Sequence, residues 1–162
     1  MCTAGVTEVF DPHTGALTVT GPMPGGTWSD ENTATSLTDG RILFVSSDDS
    51  ADIANAEVYD PAAGSFASIG FANYAHEFSP AARLADGTVL ITGGQLPGGN
   101  GSTSAELFFS ASGTFQLANP MTVGRHAHGA TPLSDGTVLV TGGYNGWPDP
   151  TSSAEIYTSA PR

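Results

Sequence analysis

Short apolar runs recur along the chain, and an Asp-Gly pair stands shortly before each of them. The runs occupy residues 42–45, 89–91 and 138–140, after pairs at 39–40, 86–87 and 135–136. A continuous apolar run of this length is typical of a strand that is covered on both faces. Asp-Gly ahead of such a run predicts a tight hairpin turn, because glycine accepts the positive φ that the turn needs. The pattern therefore predicts buried strands in antiparallel pairs.

A second pattern repeats every 49 residues. Each copy begins with a glutamate, and the four are Glu8, Glu57, Glu106 and Glu155. An apolar residue follows each glutamate and an aromatic one comes next, so the glutamate and the aromatic side chain share one face of a strand. A turn and a further strand are predicted after the first three copies, and that strand begins near Leu17, Phe66 and Phe115. A period of this size indicates one supersecondary unit copied along the chain.

Together the two patterns predict an all-β chain of four-stranded antiparallel units. No segment shows an apolar period of 3.6 residues over a useful length, so we expect no substantial helix. The repeat divides a single region into a partial unit at residues 1–24, complete units at 25–70 and 71–120, and a partial unit at 121–162.

Several linked motifs resemble the kelch repeat. In that family a Gly pair precedes an aromatic residue, and a second aromatic follows after six intervening residues; here Gly93-Gly94 precedes Phe108 and Phe115. The stretch 125–143 contains Arg-x-x-His, Leu-x-Asp-Gly and a Gly pair in that order, which is similar to the bacterial form of the repeat. The resemblance implies that each unit is one four-stranded blade of a β-propeller. The chain departs from the family pattern at Leu17, where an aromatic residue is usual.

The number of units is small for a closed propeller. The chain holds little more than three blades, whereas closure needs at least about four. We therefore expect a partial propeller that is either completed by the remaining blades of a longer parent chain or closed into a ring by a homodimer.

The charge of the chain limits its partners. It carries 16 acidic residues against four arginines and no lysine, which gives a net charge of −12. Such a surface repels phosphate backbones and anionic lipids, so we expect binding neither to nucleic acid nor to membranes. The polar residues are mainly Ser, Thr, Asn and Gly, a composition typical of secreted bacterial β-proteins. We therefore expect an extracellular or periplasmic protein whose export signal is not present in this chain, and the single Cys2 excludes an intrachain disulfide.

Strand alternation predicts two functionally different ends for each unit. The short Asp-Gly and Asp-Pro turns share one end, which we call the turn face. The loops that follow the Gly pairs and the links between units share the other end, which we call the loop face. Variable loops on a rigid frame commonly bind ligands. The ligand-binding residues predicted on the loop face are Trp28, Tyr74, His76, Arg125, His126, Tyr144, Asn145 and Trp147.

Two patterns on the loop face suggest metal ligands. Asp48, Ser50 and Asp52 are spaced like the start of a calcium loop, although the glycine and the final acid of that motif are missing, so a solvated loop is the alternative. His126 and His128 would lie on one side of an extended strand and could chelate a metal. His128, however, occupies a framework position of the kelch pattern, which favours a structural histidine. We expect no cofactor.

The sequence favours a binding module over an enzyme. A catalytic carboxylate would be a single residue with a tuned pKa, whereas the glutamate recurs in four equivalent places and is expected to accept structural hydrogen bonds. We therefore predict a non-catalytic propeller segment whose loops bind a protein or a glycan. The alternative is a fragment of a galactose oxidase-like copper enzyme, or of a glycan-active enzyme, with its catalytic residues in missing blades. Galactose oxidase-type enzymes bind copper through two Tyr and two His, but Tyr59 and Tyr157 belong to the repeat framework here.

Overall fold

The computed structural model describes residues 7–24, 32–47 and 54–158, and every regular element within these ranges is a β-strand. They contain no helix that could cross a membrane. The strands are β1 (Glu8–Phe10), β2 (Leu17–Val19), β3 (Thr33–Ser36), β4 (Ile42–Ser47), β5 (Ala54–Asp60), β6 (Ser65–Phe71), β7 (Ala81–Arg83), β8 (Val89–Thr92), β9 (Ala105–Phe109), β10 (Thr114–Leu117), β11 (Gly129–Pro132), β12 (Val138–Thr141), β13 (Tyr144–Gly146), β14 (Asp149–Pro150) and β15 (Ala154–Tyr157).

Consecutive strands pair into antiparallel sheets in the order that the turns predict. Strands β3-β4-β5-β6 form one four-stranded sheet and β7-β8-β9-β10 form another. Strands β11-β12-β15 form a three-stranded sheet, and β1 pairs with β2. The prediction of an all-β chain with four-stranded antiparallel units is confirmed. One element was not predicted: the small hairpin β13–β14 within the loop after the second Gly pair.

The register of the strands repeats from unit to unit. Three of the four repeated glutamates lie opposite a residue of the second strand of their unit: Glu57 opposite Phe44, Glu106 opposite Ile91, and Glu155 opposite Val140. The aromatic residues that follow also form equivalent pairs, with ring centroids 4.8 Å apart for Tyr59–Phe66 and 4.9 Å apart for Phe108–Phe115. The 49-residue sequence period is therefore a period of structure as well.

Two apolar clusters hold neighbouring sheets together. The first joins Leu43, Val45 and Val58 of one sheet to Ile91 and Phe108 of the next. The second cluster continues to the last sheet, and its buried residues are Ala82, Leu84, Leu90, Ala105, Met121, Val138 and Val140. Every residue of β8 is buried, because this strand has a sheet packed on each side. Removal of this apolar surface from water is the main favourable contribution to packing of the sheets.

The Gly pair after β8 lets the next link approach its sheet closely. Gly93 has a φ of +69°, and a Cβ there would overlap the carbonyl oxygen of Arg125 and crowd the His128 ring. A side chain at this position would therefore be strained in the backbone and would also clash with the link. The first complete unit has Ser46 and Ser47 instead, and there the Ser47 hydroxyl accepts a hydrogen bond from the backbone N–H of His76 at 2.9 Å.

Candidate functional site

The link before β7 is fixed by a buried carboxylate of the same unit. Glu106 is fully buried and accepts hydrogen bonds from the backbone N–H of Asn73 at 3.0 Å and from its side-chain amide at 2.7 Å. Its other oxygen pairs with Nε2 of His76, which is also fully buried. The remaining ring nitrogen of His76 lies 3.2 Å from the Ser79 hydroxyl. This arrangement is the structural role that the repetition of the glutamate predicts.

The charge state of Glu106 follows from these contacts. Burial alone would raise its pKa, but the hydrogen bond and charge of His76, together with the Asn73 donors, outweigh burial and lower the pKa. Glu106 is therefore ionised at neutral pH, and a buried carboxylate of this kind is stable only while its partners are present.

The next unit repeats the arrangement with arginine in place of histidine. Glu155 accepts hydrogen bonds from the N–H and hydroxyl of Thr122, both at 2.7 Å, and pairs with Arg125 at 2.9 Å. Arg125 also donates to the carbonyl oxygens of Gly142 and Ser153. His76 and Arg125 stand 49 residues apart, and both side chains are buried against the repeated glutamate. These two predicted ligand-binding residues therefore lie inside the fold and are not accessible to a ligand on the loop face.

His128 is a buried histidine between two units. Its Nε2 lies 2.9 Å from the hydroxyl of Thr92, which belongs to the preceding unit. Burial lowers the pKa of His128 to about 4, and the neighbouring Arg125 charge acts in the same direction. The ring is therefore neutral at neutral pH, as expected for a structural histidine.

The buried His128 makes stability depend on pH. Its pKa is about 4 in the folded chain against 6.5 for an unperturbed histidine, so the unfolded chain binds more protons between these values. We expect the contribution of His128 to the free energy of unfolding to be complete above pH 6.5. Protonation of the unfolded chain should reduce the free energy of unfolding by about 3 kcal/mol as the pH drops to 4. Urea melts across this range should show a shallower pH dependence for His128→Gln, and His13→Gln, in an exposed turn, serves as the control. Equal slopes for the variant and the wild type would show that His128 is not the group responsible.

Loops from two units meet on the loop face. Isolated bridges connect Asn100 to Gly146, Ser102 to Arg125, and His126 to Tyr144. The Gly101 N–H also donates to the Asn145 carbonyl oxygen at 2.8 Å. The loop after β8, the link before β11 and the hairpin β13–β14 therefore form one continuous surface.

Four rings form a row across this surface, and we call Phe78, His126, Tyr144 and Trp147 the ring row. The ring centroids are 5.8 Å apart for Phe78–His126, 5.7 Å apart for His126–Tyr144 and 5.0 Å apart for Tyr144–Trp147. The His126 and Tyr144 rings are nearly parallel at 27°, and the Tyr144 and Trp147 rings are tilted by 48°. Trp147 lies at the open end of the row with 71% of its surface exposed. The structure thus brings together three of the predicted site residues and adds Phe78.

His126 is the least exposed member of the ring row. Only 4% of its surface is exposed, and neither ring nitrogen has a hydrogen-bond partner among the described residues. Burial lowers the pKa of His126, while the negative charge of Glu77 opposes the shift. The ring is therefore neutral at neutral pH.

The two histidines do not lie side by side as a metal site would require. The prediction that His126 and His128 point to one side of an extended strand is wrong, because Ala127 has a φ of +51° and β11 begins only at Gly129. His126 stacks on Tyr144, whereas His128 contacts Thr92. Within the described residues there is no group of three or more His, Cys, Asp or Glu that could hold a metal.

The remaining predicted residues are placed as follows. Tyr74 is exposed in the link before β7, and Asn145 is exposed in the hairpin β13–β14. Trp28 and the calcium candidates Asp48, Ser50 and Asp52 lie outside the described residues and stay predictions.

A copper site of the galactose oxidase type does not fit the described residues. Tyr59 is buried and its ring packs on Phe66, so the framework role that the repeat assigns to it is the one the structure shows. His126 and His128, as described above, are directed to different neighbours.

The fold defines the chain as an all-β repeat protein. No family model matches its sequence, and no curated protein matches it significantly. The resemblance to kelch repeats therefore rests on the motifs and on the repeated four-stranded sheets.

Proposed function

We propose that this chain is a non-catalytic segment of a kelch-type β-propeller whose loop face binds a protein or carbohydrate ligand. The single observation that carries the proposal is the ring row, which is assembled from the links and loops of two neighbouring units and ends in the exposed Trp147. Tryptophan and tyrosine supply large contact area at a low cost in conformational entropy, and they are enriched where proteins bind partners.

The frame beneath the ring row supports a binding role. The link that carries His126 is held at its base by Glu155, Arg125 and the close approach to Gly93. Buried hydrogen bonds and close packing limit movement of the link, so little ordering is needed when a ligand arrives. A preorganised surface binds more tightly than a mobile one of the same composition.

The same contacts argue against catalysis by the repeated carboxylates. Glu106 and Glu155 each accept several hydrogen bonds, and both have a lowered pKa. A general acid at neutral pH needs a raised pKa and access to substrate. Glu106 lies buried within its unit, so its role is to hold the link in place.

Ligand mapping by NMR tests the proposal. The ¹⁵N-labelled chain is titrated with cellotetraose, mannotetraose and three blocked pentapeptides of acidic, neutral and basic composition. We expect at least one of these ligands to shift signals of residues 95–101, 122–127 and 144–150 in a saturable way. The turns at 84–88 and 133–137, on the turn face, serve as the internal control. Shifts confined to the turn face, or no saturable shift with any ligand class, would contradict the proposal.

A further inference from the structure

We infer that the ring row binds an arginine side chain presented by a basic peptide segment of a partner protein, with Glu77 and Asp149 as flanking charges. The inference rests on the proposed binding function of the loop face and names the chemistry of the ligand.

The geometry of the outer rings suits a planar cation. The Tyr144 and Trp147 rings are tilted by 48° with centroids 5.0 Å apart, so they form two walls of a shallow corner. The face of an aromatic ring attracts a cation within about 6 Å of its centroid, and tryptophan does so best. The guanidinium of arginine is planar and weakly hydrated, so it stacks on such a ring at a small cost in desolvation.

The described part of the loop face offers no competing positive charge at its surface. Arg125 is buried and pairs with Glu155, so its charge is already compensated. Arg41 pairs with Asp39 at an Asp-Gly turn, and Arg83 ends β7, and both therefore lie toward the turn face. The chain contains no lysine.

Two carboxylates stand near the ring row. Glu77 is half-buried, and its charge acts on His126 at the centre of the row. Asp149 is exposed and lies across the hairpin β13–β14 from Gly146, immediately beyond Trp147-Pro148. Neither carboxylate takes part in the ion pairs Arg41–Asp39, His76–Glu106 or Arg125–Glu155 of the described residues.

The inner part of the row is compatible with a cation above it. His126 is a neutral ring between Phe78 and Tyr144, so it adds no positive charge beneath the ligand. With a net charge of −12 the whole chain attracts a basic partner, whereas a neutral sugar gains nothing from that charge. The charge balance therefore favours the basic peptide over the glycan.

The test compares two peptides that differ only in charge. The full chain is titrated by NMR with acetyl-Gly-Arg-Gly-Arg-Gly-amide and with the same peptide containing citrulline, which keeps the shape of arginine without its charge. We expect the arginine peptide to shift the Trp147 indole and Gly146 amide signals in a saturable way and to bind about tenfold more tightly than the citrulline peptide. Binding should also weaken as salt is raised, because exposed charges are screened.

Variants locate the site. Trp147→Ala should weaken binding by about fivefold to tenfold, read from the Gly146 amide, and Glu77→Gln should weaken it by about threefold. Asp135→Asn removes the same charge from an exposed turn on the turn face and should leave the affinity unchanged.

Four other results would overturn the inference, and each would identify a different reason. Equal affinity for the citrulline peptide would exclude recognition of the cation. Equal weakening by Asp135→Asn and Glu77→Gln would show that only the overall charge matters. If cellotetraose shifts the Trp147 signal and the arginine peptide does not, the inference fails while the proposed binding function stands. If neither the peptides nor the sugars shift any loop-face signal, both fail together.

Discussion

Replacement of Glu106 by alanine is expected to lower the free energy of unfolding by about 3–5 kcal/mol. The change removes the acceptor of the Asn73 N–H and amide and leaves the buried His76 without its carboxylate partner. Burial of unpaired polar groups costs more than the contact itself contributes, because water cannot replace the lost partner. Urea melts followed by circular dichroism measure the loss.

The repeat supplies a matched control for this variant. Glu8 occupies the same position of the repeat in β1 but is exposed to solvent. Glu8→Ala should change the free energy of unfolding by no more than about 0.5 kcal/mol, as surface substitutions usually do. Equal losses for the two variants would show that the cost comes from the strand position and that the buried network contributes little.

Replacement of Phe108 by alanine should cost a similar amount, about 3–5 kcal/mol, through a different mechanism. The side chain is 1% exposed, packs on Phe115 with ring centroids 4.9 Å apart, and belongs to the cluster between two sheets. Its removal leaves a cavity that the surrounding strands can fill only in part.

Phe10 provides the control for this second variant. It is the same residue type at the same position of the repeat, yet 59% of its surface is exposed. Phe10→Ala should therefore cost less than about 1 kcal/mol, and Trp147→Ala should also have a small effect on stability. A loss for Trp147→Ala as large as that for Phe108→Ala in urea melts would overturn the distinction between loop and core.

Most of the fold could be predicted from local patterns. The Asp-Gly turns and the apolar runs after them mark β4, β8 and β12, because both the turn and the buried strand are specified by adjacent residues. The alternation of glutamate and aromatic residue fixes which side chains share a face, and Glu57, Glu106 and Glu155 lie at equivalent positions of their sheets. These features depend on short-range rules of turn chemistry and strand periodicity.

The candidate site could be predicted only in part, because its geometry depends on contacts between units. Ala127 has a left-handed conformation and its N–H donates to the carbonyl oxygen of Phe78 at 2.8 Å, but an alanine at this position gives no signal of that conformation in the sequence. The contribution of Phe78 was missed for the same reason. The burial of His76 and Arg125 did have a signal: both stand 30 residues before a repeated glutamate. That spacing is common to the two units and could have assigned both side chains to the framework.

The link and hairpin that carry the ring row are fixed at their base and exposed at their tip, and this has a consequence for protein engineering. The link and hairpin that carry the ring row are anchored by Arg125, Glu155 and Gly93, none of which lies at the tip. Residues 144–150 can therefore be varied as a library, much as antibody loops are diversified on a constant framework, with the 49-residue period marking equivalent insertion points in each unit. A repeat scaffold of this kind could display different recognition loops on successive sheets without redesign of its core.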